Sequence, residues 1–281
     1  MRILVTGASG RIGRYVVREL LAHGHNVVGI DLVPPPEPLA DSILIDLTDA
    51  GQVYGALAMA QPDAVVHMGA WANAGRVPHT RTYADNVSGT FNVFQACADL
   101  GIRRIVAASS AQVYGMAAAP PLYVPVDEAH PLRPANCYAL SKVVGEQAAD
   151  YFHANYGLTI LSFRLMGIRA PAEIPPQIAA IARDPAGDSR LLWTRTDARD
   201  AARACRLALE AADPPHGAYN ITGGVVLAQP TIELVARYLG AQTEVRAPIP
   251  GHVSALSIAK ARAAFGYEPR YLWSETRHYE E

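Results

Sequence analysis

Two side chains four residues apart are placed to do chemistry. Tyr138 and Lys142 bracket the segment Tyr138-Ala139-Leu140-Ser141-Lys142, in a stretch that reads as a helix running to about Tyr156. One helical turn puts both on the same face. A free phenol loses its proton only near about pH 10. An ammonium alongside favours the phenolate and draws that pKa towards the working range, the match a general base needs. Ser110 ends the apolar run that begins Arg104-Ile105-Val106-Ala107-Ala108. That run reads as a buried strand, and from its end Ser110 would hydrogen-bond the same substrate oxygen. The chemistry these three residues suggest is removal of a hydroxyl proton while hydride leaves the adjoining carbon.

Such a set needs a hydride acceptor, and the start of the chain supplies a place for one. Ile3, Leu4 and Val5 read as a buried strand. Thr6-Gly7-Ala8-Ser9-Gly10-Arg11-Ile12-Gly13 follows, and then Ile12, Val16, Val17, Leu20 and Leu21 mark one helical face. Strand, glycine-rich turn and helix in that order form a dinucleotide-binding fingerprint. Gly7 permits the turn, Gly10 lets backbone approach a pyrophosphate, and Gly13 lets helix pack on strand. The pyrophosphate would sit on unpaired N–H groups at the helix start, with Ser9, Arg11 and Ile12 around it. A second strand, Asn26 to Ile30, delivers Asp31, whose carboxylate suits the adenosine ribose hydroxyls. Its charge would repel a 2′-phosphate, so NAD is expected rather than NADP. Arg11 and Arg14 are the groups that would hold that phosphate if the preference were reversed.

Composition sets outer bounds. The chain has 281 residues, half of them apolar and 18% charged, with a net charge of −2. Neither nucleic acid nor an anionic membrane is expected as a partner. No apolar run approaches a membrane span, and no signal-peptide pattern precedes the first strand. Cys97, Cys137 and Cys205 are widely spaced and form no metal-binding pattern. A cytoplasmic protein without a metal is the expectation.

The spacing Gly7-x-x-Gly10-x-x-Gly13 resembles the short-chain dehydrogenase/reductase superfamily, and in particular its extended branch, the NAD-dependent epimerase/dehydratase family. Ser109-Ser110-Ala111-Gln112-Val113-Tyr114-Gly115 resembles that family's S-S-x-x-V-Y-G. Tyr138 and Lys142 match its Y-x-x-x-K, and Asn86, Gly89 and Thr90 its N-x-x-G-T. The likeness continues through Ala218 to Gly224 and into Ser257 to Pro269, so it covers almost the whole chain. It implies that Asp46 and Leu47, after a short strand from Ser42, meet the adenine ring. It also implies that Met68-Gly69-Ala70, Asn86, Ser109 and Leu165 lie along the cofactor, and that Lys142 holds the nicotinamide ribose. His67, with apolar neighbours, reads as structural. The loop from Trp71 to Thr80 would border the substrate, which makes Trp71 and Asn73 candidates together with Gln112, Arg164 and Arg195. The resemblance further implies a homodimer through the helices Tyr83–Leu100 and Tyr138–Tyr156.

Departures from the family narrow the chemistry. Its dehydratases carry an acidic pair after the catalytic Ser or Thr, where this chain has Ala111-Gln112. Its nucleotide-sugar enzymes place an asparagine three residues beyond the arginine that matches Arg164, where this chain has Gly167. The segment from Gly167 to Thr196 is also short. The expected fold is α/β, a doubly wound parallel sheet with a small discontinuous C-terminal lobe. Residues 1–166, with a return at about 191–222, would bind NAD; residues 167–190 and 223–281 would form the lobe. The expected function is NAD-dependent hydride transfer on a sugar, sugar acid or similar small polyol, similar to the uronate dehydrogenase type. The alternatives are a nucleotide-sugar 4-epimerase with tightly held NAD, and a non-catalytic NAD(H)-sensing scaffold.

Overall fold

A computed structural model describes residues 1–38 and 40–280; Leu39 and Glu281, the last residue of the expected lobe, lie outside the described residues. The chain runs β1 (Arg2–Thr6), α1 (Gly13–Ala22), β2 (Asn26–Asp31), β3 (Asp41–Leu44), α2 (Ala50–Ala60), β4 (Ala64–His67), α3 (His79–Asp99) and β5 (Arg104–Ser110). It continues with β6 (Tyr123–Val124), α4 (Cys137–Tyr156), β7 (Thr159–Leu165), β8 (Ile168–Arg169), α5 (Ile174–Arg183), β9 (Thr194–Asp197) and α6 (Ala198–Glu210). Then come β10 (Gly217–Ile221), β11 (Gly224–Val225), α7 (Thr231–Tyr238), β12 (Glu244–Val245) and α8 (Ala259–Phe265).

Seven strands form one sheet in the order β10-β7-β5-β4-β1-β2-β3. All its pairings are parallel. Strand alternation divides the side chains between two cores. On one face Ile3 and Val5 join Val16, Leu20, Ala201, Ala204 and Phe163. On the other, Leu4 and Val28 join Leu57, Phe94 and Phe152. Both faces are covered by helices, which is why the strands are nearly continuous apolar runs. Chain order reverses between β1 and β4, and the crevice beyond the strand ends there is where doubly wound sheets bind ligands.

A third core, around Tyr114, Val126, Ile178, Trp193, Leu234 and Trp273, gathers beside a small sheet, β11-β9-β8. Helix α5 has no counterpart in the sequence reading. Pro175 and Pro176 look like helix breakers but occupy its first turn, where no N–H partner is lost. The strand expected from Ser42 to Leu47 ends at Leu44. Asp46 therefore lies in the turn beyond, where its carboxylate accepts the Thr48 N–H at 2.9 Å. Along α3, Phe94 is buried while Phe91 is exposed.

Candidate active site

A cavity of about 660 Å³ opens beyond the C-terminal ends of the central strands. Its floor is the glycine turn. Gly7 has φ +64°, and a Cβ there would lie 2.7 Å from the Gly69 nitrogen. A Cβ on Gly13 would lie 2.0 Å from the Gly7 carbonyl oxygen. Both positions are closed to any side chain, and Gly10 between them lines the cavity as bare backbone. No side chain caps α1, which leaves its start open to a ligand beside Gly10. At the end of β2, Asp31 accepts the Ser9 N–H at 2.9 Å and the Leu32 N–H at 2.7 Å. A glycine cradle, an uncapped helix start and a carboxylate at the neighbouring strand end fit a dinucleotide. Met68, Gly69, Ala70, Asp46 and Leu47 line the same space, as do Arg11, Ile12, Asn86, Ser109 and Leu165. Ser9 faces a smaller hollow beside it, shared with Asp31, Arg14 and Arg18. Arg11 is drawn to Glu173 at 3.1 Å.

The reacting groups meet where β5 and α4 converge. Ser110 ends β5, and its Oγ accepts the Gln112 N–H at 3.2 Å. Asn136 caps α4 by accepting the Ala139 N–H at 2.8 Å, which fixes the first turn that carries Tyr138. The Tyr138 hydroxyl lies near Ser110, which favours its ionised form. Lys142 Nζ donates to the Ala108 carbonyl at 2.8 Å and lies 5.7 Å from the centre of the Tyr138 ring. Behind them Ser141 Oγ donates to the Tyr138 carbonyl at 2.7 Å. Asn86 ties that helix to the cavity wall: it donates to Ser141 Oγ at 3.1 Å and holds both backbone groups of Trp71, at 2.8 and 3.2 Å.

Burial shapes the charges. It pushes the Tyr138 phenol up to about 12, against the pull of Ser110. It pushes the Lys142 ammonium down to about 8, against the pull of Glu146. The depression of the phenol expected from Lys142 is not found: burial raises it, and Ser110, not Lys142, pulls the other way. His67 is also buried, which draws it down to about 3, and Lys142 adds to the fall. Neutral, it bridges Thr6 at 2.8 Å and Thr90 at 3.1 Å.

The substrate side departs from the sequence reading in two places. Arg164 does not line the cavity. It is buried and doubly bonded to Glu146, at 2.7 and 3.0 Å, with Tyr114 Oη at 3.0 Å. Glu146 also accepts from Ser109 Oγ at 2.5 Å, and Tyr114 donates to Asn220 at 2.7 Å. This guanidinium belongs to a buried network behind Lys142. Arg195 is likewise buried, paired with Asp188 at 2.8 Å and donating to Gln177 at 2.7 Å. Arg169 and Arg190 occupy the cavity wall instead. Trp71, Asn73 and Gln112 line it as expected, and so does Asn136, which the sequence reading passed over. Its cue was its place: an N-cap residue two positions before the reactive tyrosine. Trp71 is held by Asp85, which accepts its indole N–H at 2.7 Å.

A doubly wound sheet with a glycine cradle and a Ser–Tyr–Lys cluster at the strand ends is the architecture of a dinucleotide-dependent enzyme. Comparison with known proteins places the chain within that class. Residues 3–222 match the model of the NAD dependent epimerase/dehydratase family, and the chain belongs to that family. A UDP-glucose 4-epimerase of Mycolicibacterium smegmatis is 29% identical over 98% of this chain and 96% of its own. A uronate dehydrogenase of Pseudomonas putida is 30% identical over 58% of this chain and 60% of its own. The putative UDP-glucose 4-epimerase of Methanocaldococcus jannaschii is likewise matched over 60% of its length. A crystal structure of an Agrobacterium tumefaciens short-chain dehydrogenase/reductase superfamily protein with bound NAD superposes with a TM-score of 0.74 at 25% identity. That superposition covers 96% of this chain and 92% of the other. Among the described residues no helix is long and apolar enough to cross a membrane.

Proposed function

We propose that this protein oxidises a free sugar or sugar acid with NAD. The observation that carries the reading is the cavity wall supplied by residues 167–191. It is short and presents Arg169 and Arg190 to the cavity. Among the described residues no carboxylate pairs with Arg190, so its charge is available to an anionic group of the substrate. Cofactor preference follows from Asp31, whose carboxylate disfavours a 2′-phosphate at the ribose.

Bound NAD would supply the hydride-accepting carbon. Tyr138 first gives its phenol proton up to solvent; its Oη, as phenolate, then takes the proton of the substrate hydroxyl as hydride leaves the carbon that bears it. Ser110 Oγ, already accepting from the Gln112 N–H, keeps its own proton to donate to that oxygen. Lys142 holds positive charge beside the phenolate until that proton arrives. The balance is a secondary alcohol plus NAD giving a carbonyl compound, NADH and a proton passed to solvent.

The test is NADH absorbance across a panel of D-glucuronate, D-galacturonate, L-arabinose and D-glucose, with NAD and NADP compared. NADH formation with a uronate or aldose, faster with NAD, supports the reading. Interconversion of UDP-glucose and UDP-galactose without net NADH would instead establish the epimerase, the reading favoured by the full-length likeness to the Mycolicibacterium smegmatis enzyme. The assembled Ser110, Tyr138 and Lys142 cluster argues against a scaffold without chemistry. The homodimer reading draws support from Tyr83, Phe91, Leu140 and Tyr151, which expose aromatic and aliphatic surface on α3 and α4; sedimentation at twice the chain mass checks it.

A pH effect follows from Lys142. A lysine whose proton is lost at about 8 supplies its charge below that pH and not above it. kcat/KM for NAD is therefore expected to fall as pH rises through about 8. Lys142→Arg keeps a cation throughout, and its slower reaction is expected to lose this alkaline limb. An unchanged limb in that variant assigns the fall to another group.

A further inference from the structure

We propose that Asn136 sets the substrate preference of the cavity by fixing which end of the Gln112 side-chain amide faces it, and that the group so selected is a carboxylate. The inference rests on the sugar-oxidising reading above. It begins at the cap of α4. Asn136 Oδ1 is committed to the Ala139 N–H at 2.8 Å. Its other end, Nδ2, donates to Gln112 Oε1 at 3.1 Å. The two ends of a primary amide differ, one an acceptor and the other a double donor. With its carbonyl engaged by Asn136, Gln112 turns its NH2 away from the helix. That nitrogen lies 3.5 Å from Asn73 Oδ1, a long contact that leaves its donors for a ligand. The Gln112 backbone N–H is bonded to Ser110 Oγ at 3.2 Å, so the donor is carried on the same turn as the reacting serine. Asn73, Gln112 and Asn136 all line the cavity.

The chemistry of the selected group follows. A sugar hydroxyl both donates and accepts and can meet either end of an amide. A carboxylate only accepts, so it gains from an NH2 and is repelled by a carbonyl. Arg169 and Arg190 line the same cavity, which makes its donors and its positive charge agree.

Asn136→Asp separates this role from helix capping. Aspartate also caps a helix, but it offers Gln112 an acceptor. Gln112 then turns its NH2 to the introduced carboxylate and its carbonyl to the cavity. KM for D-glucuronate, read by NADH formation, is expected to rise about tenfold or more, as when a buried polar partner is mismatched. KM for L-arabinose should move much less. The added negative charge could act alone, so the same substitution is made in a Gln112→Leu background, where the rise should vanish. Equal rises in both backgrounds overturn the proposal. If the wild type oxidises an aldose and no uronate, the carboxylate assignment fails while the function above stands; if it oxidises neither, both fail. Neutron diffraction from deuterated crystals reads the amide itself. Deuterons on the cavity-facing end of Gln112 support the part given to Asn136, and a bare oxygen there overturns it.

Discussion

Tyr138→Phe is expected to lower kcat by about a thousandfold, within the range contributed by a positioned acid–base group, while leaving the Kd for NAD nearly unchanged. The phenol oxygen is the atom that lies near Ser110, and phenylalanine removes it without altering the ring that packs at 7% exposure. Helix α4 keeps its cap, since Asn136 bonds to the Ala139 backbone and not to the tyrosine side chain. Lys142 keeps its bond to Ala108. The loss should therefore fall on kcat and kcat/KM alike, the pattern of an interaction made in the transition state. Stopped-flow measurement of NADH formation with fluorescence titration of NAD checks both halves. Retention of more than a tenth of the wild-type rate would assign the base to another group.

Arg164→Leu is expected to be the most destabilising change near the site, by about 3–5 kcal/mol, because it leaves a buried carboxylate without its partner. Glu146 and Arg164 share two bonds, at 2.7 and 3.0 Å, with side chains only 11% and 6% exposed. The guanidinium also bonds to Tyr114 and to the Glu128 carbonyl, both at 3.0 Å. Burial desolvates it, yet its bonds to Glu146 prevail and hold it firmly charged. Calorimetry should show the melting temperature falling on the order of 10 °C for a chain of this size. Replacing both partners, Arg164→Leu with Glu146→Leu, should recover much of the loss, since no lone charge then remains buried. A double variant as unstable as the single one would show that the network acts through Tyr114 and the Glu128 carbonyl instead of the ion pair.

The site was legible where chemistry depends on spacing within one element. Tyr138 and Lys142 share a helix face, and the Gly7–Gly13 turn is a local strand-to-helix junction. Central strands such as β1, β2 and β5 were legible for a similar reason: buried on both faces, they leave apolar runs, whereas the exposed edge strand β3 leaves none. What the sequence did not disclose was the direction of charged side chains at strand ends. Arg164 sits between Phe163 and Leu165, and only Leu165 reaches the cavity. Alternation along β7 turns Arg164 to the other side, where Glu146 waits on α4. Nothing near Arg164 in sequence announces that partner. Arg195 was misread in the same way, because its partners come from elsewhere: Gln177 from α5 and Asp188 from the irregular stretch after it. Arg190 lies in that irregular stretch too, so its place on the cavity wall follows only from how β9 and α5 bring it round.

The most direct test of hydride transfer to NAD uses D-glucuronate deuterated on its carbons, incubated with enzyme and NAD, with the released dinucleotide analysed by mass spectrometry and NMR. A reduced dinucleotide carrying one deuterium on its nicotinamide ring, formed by the wild type and not by Tyr138→Phe, is the predicted result. Unreduced NAD after complete incubation, or reduced dinucleotide formed equally by both proteins, would contradict it.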